Sequence, residues 1–577
     1  MKTRKTLWKN KFLSLFLVAS IEMIVSVFIF LSDTVIAGYT VGEIGISAMN
    51  LMNPIVQFTI FISYLIAVGL SYSYNSAMGK ADKKYADGLY GMGIIVSVIL
   101  SLFAFVIITL CRDLYFEFLD PEIDILHHAL EYFLHYKYVI LTEPVIILLS
   151  TMVYVDGDEL ISGISNIVQI VVNIACSLFF AIELDMGLRG IALGTLVKNF
   201  VAAFILSFHF FCKSNSLKPR IYFSFRDLWE FCKNGFIDIG FYLTMGVAFF
   251  ILNKFIIVKF GDIFLCVLSL TVNILTLTII SIGISQAVLP LISVYYNEKN
   301  YPAVRKVMNI AMKFSIYEGI IFSVILFVFA EYVPFAFNID DPELVKHGVY
   351  AVRIVSLTFV FLSVLYLFES YYIIQRKNAI AVICLFLRSL VFMLLLAIPL
   401  GLILGLNGIW IGIALTPVLT LIVCSLITRM KYGSKNFPYY LDDKNNIADF
   451  DVVLTPENVI KLRDNSEKFL LEHSIPSKTI NKLLLLVEET GMTIIEHNKN
   501  NKILAEYTIE IFESNNVRLI VRDNGKIFNI TDKNLHIMSL RNYIFAQLMS
   551  MKALKNNENI TTISNNRNIF IIRTDTI

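Results

Sequence analysis

The stretch Leu31-Ser32-Asp33-Thr34-Val35-Ile36-Ala37-Gly38 ends the first long apolar run of the chain, residues 11–38. A run of that length is long enough to cross a bilayer as a helix. Asp33 lies inside it, and a carboxylate at membrane depth is costly unless it is paired, protonated or next to a wet cavity. Two interpretations stay open: Asp33 marks the helix end near the headgroups, or it is a cation or proton site inside a helix bundle.

The composition of the whole chain is that of a membrane protein. Hydrophobic residues make up 57 % of the 577 residues, and the mean hydropathy is +0.70. The net charge is +2, and no basic patch with interleaved aromatic residues occurs, so nucleic acid is not an expected partner. The 7 cysteines lack the close spacing of a zinc site or a disulfide framework.

Apolar runs recur along the chain and predict an α-helical polytopic membrane protein with twelve spans. They lie at about residues 11–38, 45–72, 86–111, 138–157, 160–182, 190–211, 235–258, 263–292, 308–334, 348–374, 378–400 and 405–428. The connections alternate between basic, as at 80–84, and acidic, as at 120–124. By the positive-inside rule, both termini are predicted to be cytoplasmic and the protein to reside in the cell membrane.

The chain contains an internal repeat. Asp120-Pro121-Glu122 returns as Asp341-Pro342-Glu343, and Gly187–Ile191 returns as Gly405–Ile409, at nearly the same distance along the chain. An even number of spans per unit makes the two units parallel repeats, with a substrate cavity expected between them. The predicted domains are 1–215 and 216–435, six helices each, followed by a cytosolic α/β domain, 436–577.

Polar residues replace the apolar runs in the third domain. Helical periodicity predicts a helix over Ser477–His497. Strand-like runs follow at Ala505–Phe512 and Val517–Val521, then a turn at Asp523–Gly525, and a last strand at Asn568–Arg573. These elements predict a small mixed α/β domain.

Several polar residues inside the predicted spans are candidates for function. Glu22 and Asp33 are separated by close to three helical turns, so they share a face of the first span. Asn166 and Asn173 share a face of the fifth span, with Ser177 one turn beyond. The asparagines equally suit hydrogen bonds between membrane helices, and that alternative stays open.

Other charged residues lie within or near the ends of spans. Glu143, Glu318 and Glu369 are predicted to be interfacial, because each lies close to the end of its span. Arg388 lies inside the eleventh span and needs a partner that the sequence does not identify. A cavity lined with many basic residues would favour lipid-linked substrates, and the candidates within the spans are Arg388 and Lys254.

The membrane part of the chain resembles the multidrug and toxic compound extrusion (MATE) transporters. The resemblance rests on the twelve spans and on the following segments: 32–38 with Gly42 and Ala48, 79–82, Asn173 with 187–192, Gln286-Ala287, Pro290 and 408–410. It implies a V-shaped, cation-driven antiporter that exports bulky, often cationic compounds. It also implies that Asp33 and Asn173 occupy two of the family's cation-coupling positions, whereas Ser177 replaces a second aspartate.

The C-terminal domain resembles the GHKL ATPase fold, close to anti-sigma-factor-type serine kinases. Val487–His497 is similar to its N-box helix, and Val521–Phe528 is similar to its first glycine box. The resemblance implies nucleotide-binding roles for Glu489, Thr493, Asp523 and Gly525. Thr493 departs from the magnesium-binding asparagine of that fold, and Asp532–Gln547 contains no glycine for a phosphate lid. Whether this domain binds ATP and Mg²⁺ stays open.

Taken together, these patterns predict a secondary transporter that is not an enzyme. It would export drug-like or metabolite small molecules, in antiport with H⁺ or Na⁺, and the C-terminal domain would modulate it. One alternative is a membrane sensor whose GHKL-like domain binds nucleotide or a partner protein, and another is a flippase for lipid-linked substrates. No cofactor is required beyond the coupling ion, and the substrate and the choice between H⁺ and Na⁺ stay open.

Overall fold

Long helices follow one another from Leu7 to Tyr432 in the computed structural model. The structure describes residues 6–79, 82–212, 215–434, 437–441, 446–498, 501–512, 516–526, 554–562 and 565–572. The helices of the first half are α1 Leu7–Val41, α2 Glu43–Gly79, α3 Lys83–Leu110, α4 Arg112–Leu119, α5 Ile123–Val155, α6 Glu159–Leu178 and α7 Leu188–Ser207. Those of the second half are α8 Phe225–Phe260, α9 Leu265–Thr276, α10 Ile282–Asn297, α11 Tyr301–Val328, α12 Val333–Ala336, α13 Pro342–Ser356, α14 Phe359–Ile374, α15 Asn378–Phe386, α16 Phe392–Leu404 and α17 Leu406–Tyr432.

Helix starts in the two halves recur at a constant spacing. α3 begins at Lys83 and its counterpart α11 at Tyr301, and α7 and α17 begin at Leu188 and Leu406, which is the same separation along the chain. This separation agrees with that of the repeated sequence motifs. The helix bounds therefore follow the internal duplication that the motifs indicate.

Ten of the described helical segments are long and apolar enough to cross a membrane. The bent pair α13 and α14, which meet at 46°, makes eleven if it is counted as one span. α1 is not among the ten, and twelve spans therefore stay a prediction. The helical, multi-pass character of the protein is confirmed.

The chain divides into two compact units. The helical unit contains residues 20–283 and 314–428, and the C-terminal unit contains residues 1–19, 284–313 and 429–577. In the helical unit, α2 of the first half packs along α8 of the second. Gly69 permits this approach, because a Cβ there would lie 2.1 Å from the carbonyl oxygen of Phe231. Asn50 and Asn253 join the same two helices through a buried 2.9 Å hydrogen bond.

A five-stranded antiparallel sheet and two helices form the folded core of the C-terminal unit. Its elements are β1 Ile447–Val453, α18 Pro456–Glu472, α19 Ser477–His497, β2 Leu504–Phe512, β3 Asn516–Asp523, β4 Leu554–Thr562 and β5 Asn565–Ile572. The strand order is β1-β2-β3-β5-β4. Leu483, Tyr507 and Phe570 lie in the hydrophobic core of this unit.

The sequence pattern located much of this unit. The α19 bounds agree with the predicted helix, and β2, β3 and β5 overlap the three predicted strands. β1, α18 and β4 were not predicted. The segment Asp532–Gln547, in which the missing phosphate lid was inferred, lies outside the described residues. A small antiparallel sheet is present, and its GHKL identity stays a prediction.

Candidate functional site

Asp33 and Asn173 meet inside the helical unit, although 140 residues separate them in the chain. Nδ2 of Asn173, on α6, donates a hydrogen bond of 3.0 Å to Oδ1 of Asp33, on α1. Asn173 is 1 % exposed and Asp33 is half-buried. A buried carboxylate needs donors to replace water, and the amide supplies one.

A second charged pair lies in the same helix group. The Lys198 ammonium, on α7, lies 3.4 Å from the Glu143 carboxylate, on α5, and each side chain is 16 % exposed. Lys198 also acts electrostatically on Asp33. The structure thus places Glu143 against a helix partner, where the sequence suggested an interfacial residue. A lone lysine in the run 190–211 was the signal that could have identified Lys198.

The other predicted coupling residues have different surroundings. Ser177 is fully buried, and its hydroxyl lies 3.5 Å from the carbonyl oxygen of Ile191. A Cβ on Gly194 would lie 2.4 Å from the Ser177 Oγ, so α6 and α7 leave no room for a larger side chain here. Glu22 lies on α1, but its side chain is outside the described residues. Asn166 is exposed.

A cavity of about 100 Å³, lined almost entirely by residues of the second half, lies inside the helical unit. Its lining is mostly apolar and aromatic, with a few hydroxyl groups. The residues are Gln57, Phe241, Tyr242, Met245, Val272, Leu275, Thr276, Thr278, Ile279, Leu362, Tyr366, Arg388, Ser389, Met393, Ile413, Thr416 and Pro417.

Arg388 lies at the cavity wall, in the π-helical turn Leu387–Val391 between α15 and α16. Turns of this kind often occur at functional sites. Nε and Nη2 of Arg388 donate to the two carboxylate oxygens of Glu369 at 3.2 and 3.3 Å. The guanidinium also lies over the rings of Phe241 and Tyr366, at 5.3 and 4.9 Å from their centroids. Glu369 is thus the partner that the sequence did not identify for Arg388. Its interfacial position stays a prediction.

Reciprocal carboxylate contacts join the two halves at the ends predicted to be extracellular. The Glu43 carboxylate, at the start of α2, accepts hydrogen bonds of 2.8 and 3.1 Å from the backbone N–H groups of Asp340 and Asp341. Asp262, just after α8, accepts one from the backbone N–H of Glu122 at 2.5 Å. Glu43 and Asp262 occupy nearly equivalent positions of the two repeats, so each half supplies one carboxylate to the other.

A buried charged network lies on one face of the sheet in the C-terminal unit. Arg522, on β3, forms ion pairs with Glu506, on β2, at 3.0 Å and with Glu298, in the α10–α11 connection. Oη of Tyr295 donates to Glu506 at 2.6 Å. Removal from water, together with the nearby Asp449 carboxylate, raises the pKa of Glu506 from 4.5 to about 8.

Contacts from β1 extend this network to two other helices of the unit. The Lys306 ammonium, on α11, lies 2.6 Å from Asp449 and 3.3 Å from Asp451. Nε1 of Trp8, on α1, donates to Asp451 at 3.3 Å. Nδ2 of Asn300 donates to Thr508 at 3.1 Å. The polar face of the sheet therefore binds the starts of α1 and α11 and the end of α10.

The predicted nucleotide-binding residues lie around the turn after β3 and on α19. The backbone N–H of Gly525 donates to Oδ1 of Asp523 at 2.8 Å, so the structure brings these two residues together. On α19, Glu489 is buried and Thr493, one turn further, is half-buried. A polar recess beside the turn, about 370 Å³, is lined by Asn498, Asn501, Lys502, Ile503, Asn524, Gly525 and Lys526. Of the four predicted residues, only Gly525 is part of this lining.

Metal ligation by clustered side chains is not a feature of the described residues. Within them, no group of three or more His, Cys, Asp or Glu side chains is placed to hold a metal ion. The helical unit instead offers one carboxylate with an amide donor in the first half, and one guanidinium with a carboxylate in the second.

Known proteins provide an independent comparison with this arrangement. The multidrug export protein MepA of Staphylococcus saprophyticus is 24 % identical over 302 residues, and the match spans 49 % of this chain and 66 % of that protein, just under two thirds. A multidrug resistance MATE family transporter of the MOP superfamily, solved in an inward-facing conformation, aligns with 20 % identity and a TM-score of 0.65, over 70 % of this chain and 94 % of that one.

The outward-facing conformation of such a transporter aligns with 21 % identity and a TM-score of 0.60, over 74 % of this chain and 96 % of that one. At these identities, the solved structures establish likeness of fold. The MatE family model matches residues 19–179 and 240–425, which is more than half of the chain. The chain is therefore a member of the MATE family of multi-pass membrane transporters.

Proposed function

We propose that this protein is a secondary active antiporter of the cell membrane that exports drug-like or metabolite small molecules in exchange for H⁺ or Na⁺. The observation that carries the proposal is the Asp33–Asn173 hydrogen bond inside a bundle of the MATE family. The curated relative is described as a multidrug export protein, which supports export as the direction of transport.

Asp33 would couple ion and substrate movement through its occupancy. The Asn173 amide and the Lys198 ammonium offset part of the cost of a carboxylate inside the bundle, and a bound cation would offset the rest. Asp33 is therefore a group that would exchange a cation when its surroundings change. Any difference in cation affinity between two bundle conformations then shifts the population between them, which is the thermodynamic requirement for coupled transport.

The transport assay uses the purified full chain in proteoliposomes with imposed pH or Na⁺ gradients and fluorescent substrates of either charge. We expect gradient-driven transport by the native chain and a drop of about tenfold or more in Asp33→Asn, which removes the only carboxylate of the pair. Asp113→Asn is the matched control, because Asp113 is an exposed carboxylate, 79 % accessible, outside the site. Undiminished gradient-driven transport by Asp33→Asn would refute the coupling role.

The C-terminal unit is proposed to modulate transport from the cytosol, where we also place both termini. Support comes from the contacts of its sheet with the starts of α1 and α11, since α1 also carries Asp33. Restraint of the end of a helix changes the free energy of any conformation in which that end must move. A protein partner of this domain would act through the same contacts.

A sensor function is a second candidate, favoured by the polar recess beside Gly525. In this case, the recess would bind a nucleotide or another polar ligand. The helical unit would bind a small molecule and change the state of the C-terminal unit. Titration of the full chain with a fluorescent ATP analogue, with and without Mg²⁺, separates the two candidates. Binding of the analogue in the absence of any gradient-driven transport would favour the sensor.

A further inference from the structure

We propose that the second-half cavity binds an amphipathic organic anion, with an aromatic or aliphatic body and a carboxylate, sulfonate or phosphate group that pairs with Arg388. This inference rests on the proposed transport function for its biological meaning, and it names the substrate class of that cavity. Cation export, which the family resemblance implies, predicts the opposite charge for the ligand.

The charge of the lining is the first argument. Among the described residues that line the cavity, Arg388 is the one with a formal charge, and no carboxylate is among them. The Glu369 carboxylate balances the charge of the Arg388 guanidinium, but Glu369 does not line the cavity. A cationic ligand would thus meet a guanidinium with no countercharge on the cavity wall, whereas an anion would meet a donor. In a site of low dielectric, that difference is large.

The free hydrogen-bonding capacity of Arg388 is the second argument. A guanidinium has five N–H donors in a planar fork. The two bonds to Glu369 use Nε and Nη2, and Nη1 makes no hydrogen bond to any residue that the structure describes. A ligand oxyanion can therefore bind at Nη1 while Glu369 keeps its hydrogen bonds to Nε and Nη2, so the ion pair is not displaced. The side chain of Arg388 is 10 % exposed, so its guanidinium is held in place before a ligand binds.

The surroundings of the guanidinium give the third argument. The guanidinium lies over the rings of Phe241 and Tyr366, which also line the cavity, so these rings would contact the ligand body next to its anionic group. A few other polar side chains interrupt the mostly apolar wall: Gln57, Thr276, Thr278, Ser389 and Thr416. An apolar body with one anionic end matches this distribution, because apolar pockets with a few placed polar groups orient their ligands in this way.

A matched pair of dansyl probes tests the sign of the ligand charge. Dansylglycine ends in a carboxylate, and the dansyl amide of (2-aminoethyl)trimethylammonium ends in a fixed cation. Fluorescence anisotropy titrations use the purified full chain in detergent, so they need neither gradient nor transport. We expect the native chain to bind the anionic probe about tenfold or more tightly than the cationic one, a ratio worth about 1.4 kcal/mol.

Three variants assign that preference to Arg388. Arg388→Gln/Glu369→Gln removes both charges and leaves no buried carboxylate without a partner, and it should bind the two probes with equal affinity. Arg388→Lys should keep a reduced preference, because an ammonium lacks the fork. Arg353→Gln, which removes an arginine paired with Glu331 at 2.8 Å near the surface of the same half, should behave like the native chain.

The inference is overturned if the native chain binds the cationic probe as tightly as the anionic one, or if the preference survives in the double variant. Thermal unfolding of each variant identifies any that fails to fold, and Arg388→Lys then supplies the comparison. Anion binding without gradient-driven transport would contradict the antiporter alone, and transport without anion preference would contradict this inference alone.

Discussion

The two halves of the helical unit share a frame but differ in their interiors. Their helices begin at matching positions, and each contributes a carboxylate, Glu43 or Asp262, to the end of the other. Inside, the first half holds Asp33 against an amide, whereas the second holds Arg388 beside a cavity. The comparison teaches that a duplicated scaffold can keep the contacts that join its halves while its two interiors take different polar groups.

The same contrast extends to the connection after the second span of each half. In the first half, Asp82 accepts a hydrogen bond from the N–H of Tyr85 at 3.1 Å and caps the start of α3. In the second half, Glu298 of the α10–α11 connection forms an ion pair with Arg522 of the C-terminal unit. One connection thus carries a local cap and the other a contact with a distant part of the chain.

The largest effect is expected from breaking that contact. Arg522→Glu places three carboxylates together, with Glu298 and Glu506, in a region where Arg522 is 5 % exposed. Removal of one partner from a buried ion pair costs about 3–5 kcal/mol. We expect the C-terminal unit to become sensitive to limited proteolysis and transport to change in rate.

The charge exchange Glu298→Arg/Arg522→Glu serves as the matched control for this prediction. It restores a pair of opposite charges across the same contact, so it should recover part of the protease resistance lost in Arg522→Glu. If the exchange recovers nothing, the Glu298–Arg522 contact does not hold this connection to the sheet. If Arg522→Glu alters proteolysis but leaves the transport rate unchanged, the modulatory role of the unit is refuted.

A smaller effect is expected in the first half, where Asn173 is the donor to Asp33. Asn173→Ala leaves a buried carboxylate without its amide partner, a loss of about 1–3 kcal/mol. Because that cost falls on the carboxylate that would bind the coupling cation, gradient-driven transport should fall about tenfold. Initial transport rates measure this loss.

Asn166→Ala is the matched control for Asn173→Ala. Asn166 lies two helical turns earlier on the same helix, but it is exposed. Equal losses in the two variants would show that the asparagines act through helix packing rather than through Asp33. The control therefore also separates the two interpretations that the sequence alone left open.

Particular residues show how far the sequence could predict this arrangement. The cost of burying charge identified Asp33 and Arg388, because each interrupts a long apolar run. The same reasoning could not pair Arg388 with Glu369, since a partner on another helix depends on packing angles that one sequence does not contain. Glu143 shows the same limit: the sequence identified no partner for it, and α7 brings the Lys198 ammonium to within 3.4 Å of its carboxylate.

In the C-terminal unit too, the sequence pattern predicted local elements but not the contacts between distant residues. Periodicity located α19 because its apolar residues form one face. β2 was also located, but the pattern gave no reason for the burial of Glu506 and Glu510 on its polar face. The reason is tertiary: Tyr295 and Glu298 from the α10 region contact this face of the sheet. Long-range partners of this kind leave no local signature.

A more gradual effect, spread over several pH units, is located at Glu506, which faces Tyr295 of α10, Asp449 of β1 and Arg522 of β3. Its pKa rises from 4.5 to about 8 on folding, so the folded C-terminal unit binds the proton more tightly than the unfolded chain. The associated stability is fully present below the unfolded pKa and is lost as the pH rises through the folded one. Protease resistance of the C-terminal unit should therefore decline gradually between about pH 4.5 and about pH 8 and level off above that. Glu506→Gln should flatten this decline, because an amide does not titrate and its oxygen can still accept from Arg522. An unchanged slope in that variant would assign the pH dependence to another group.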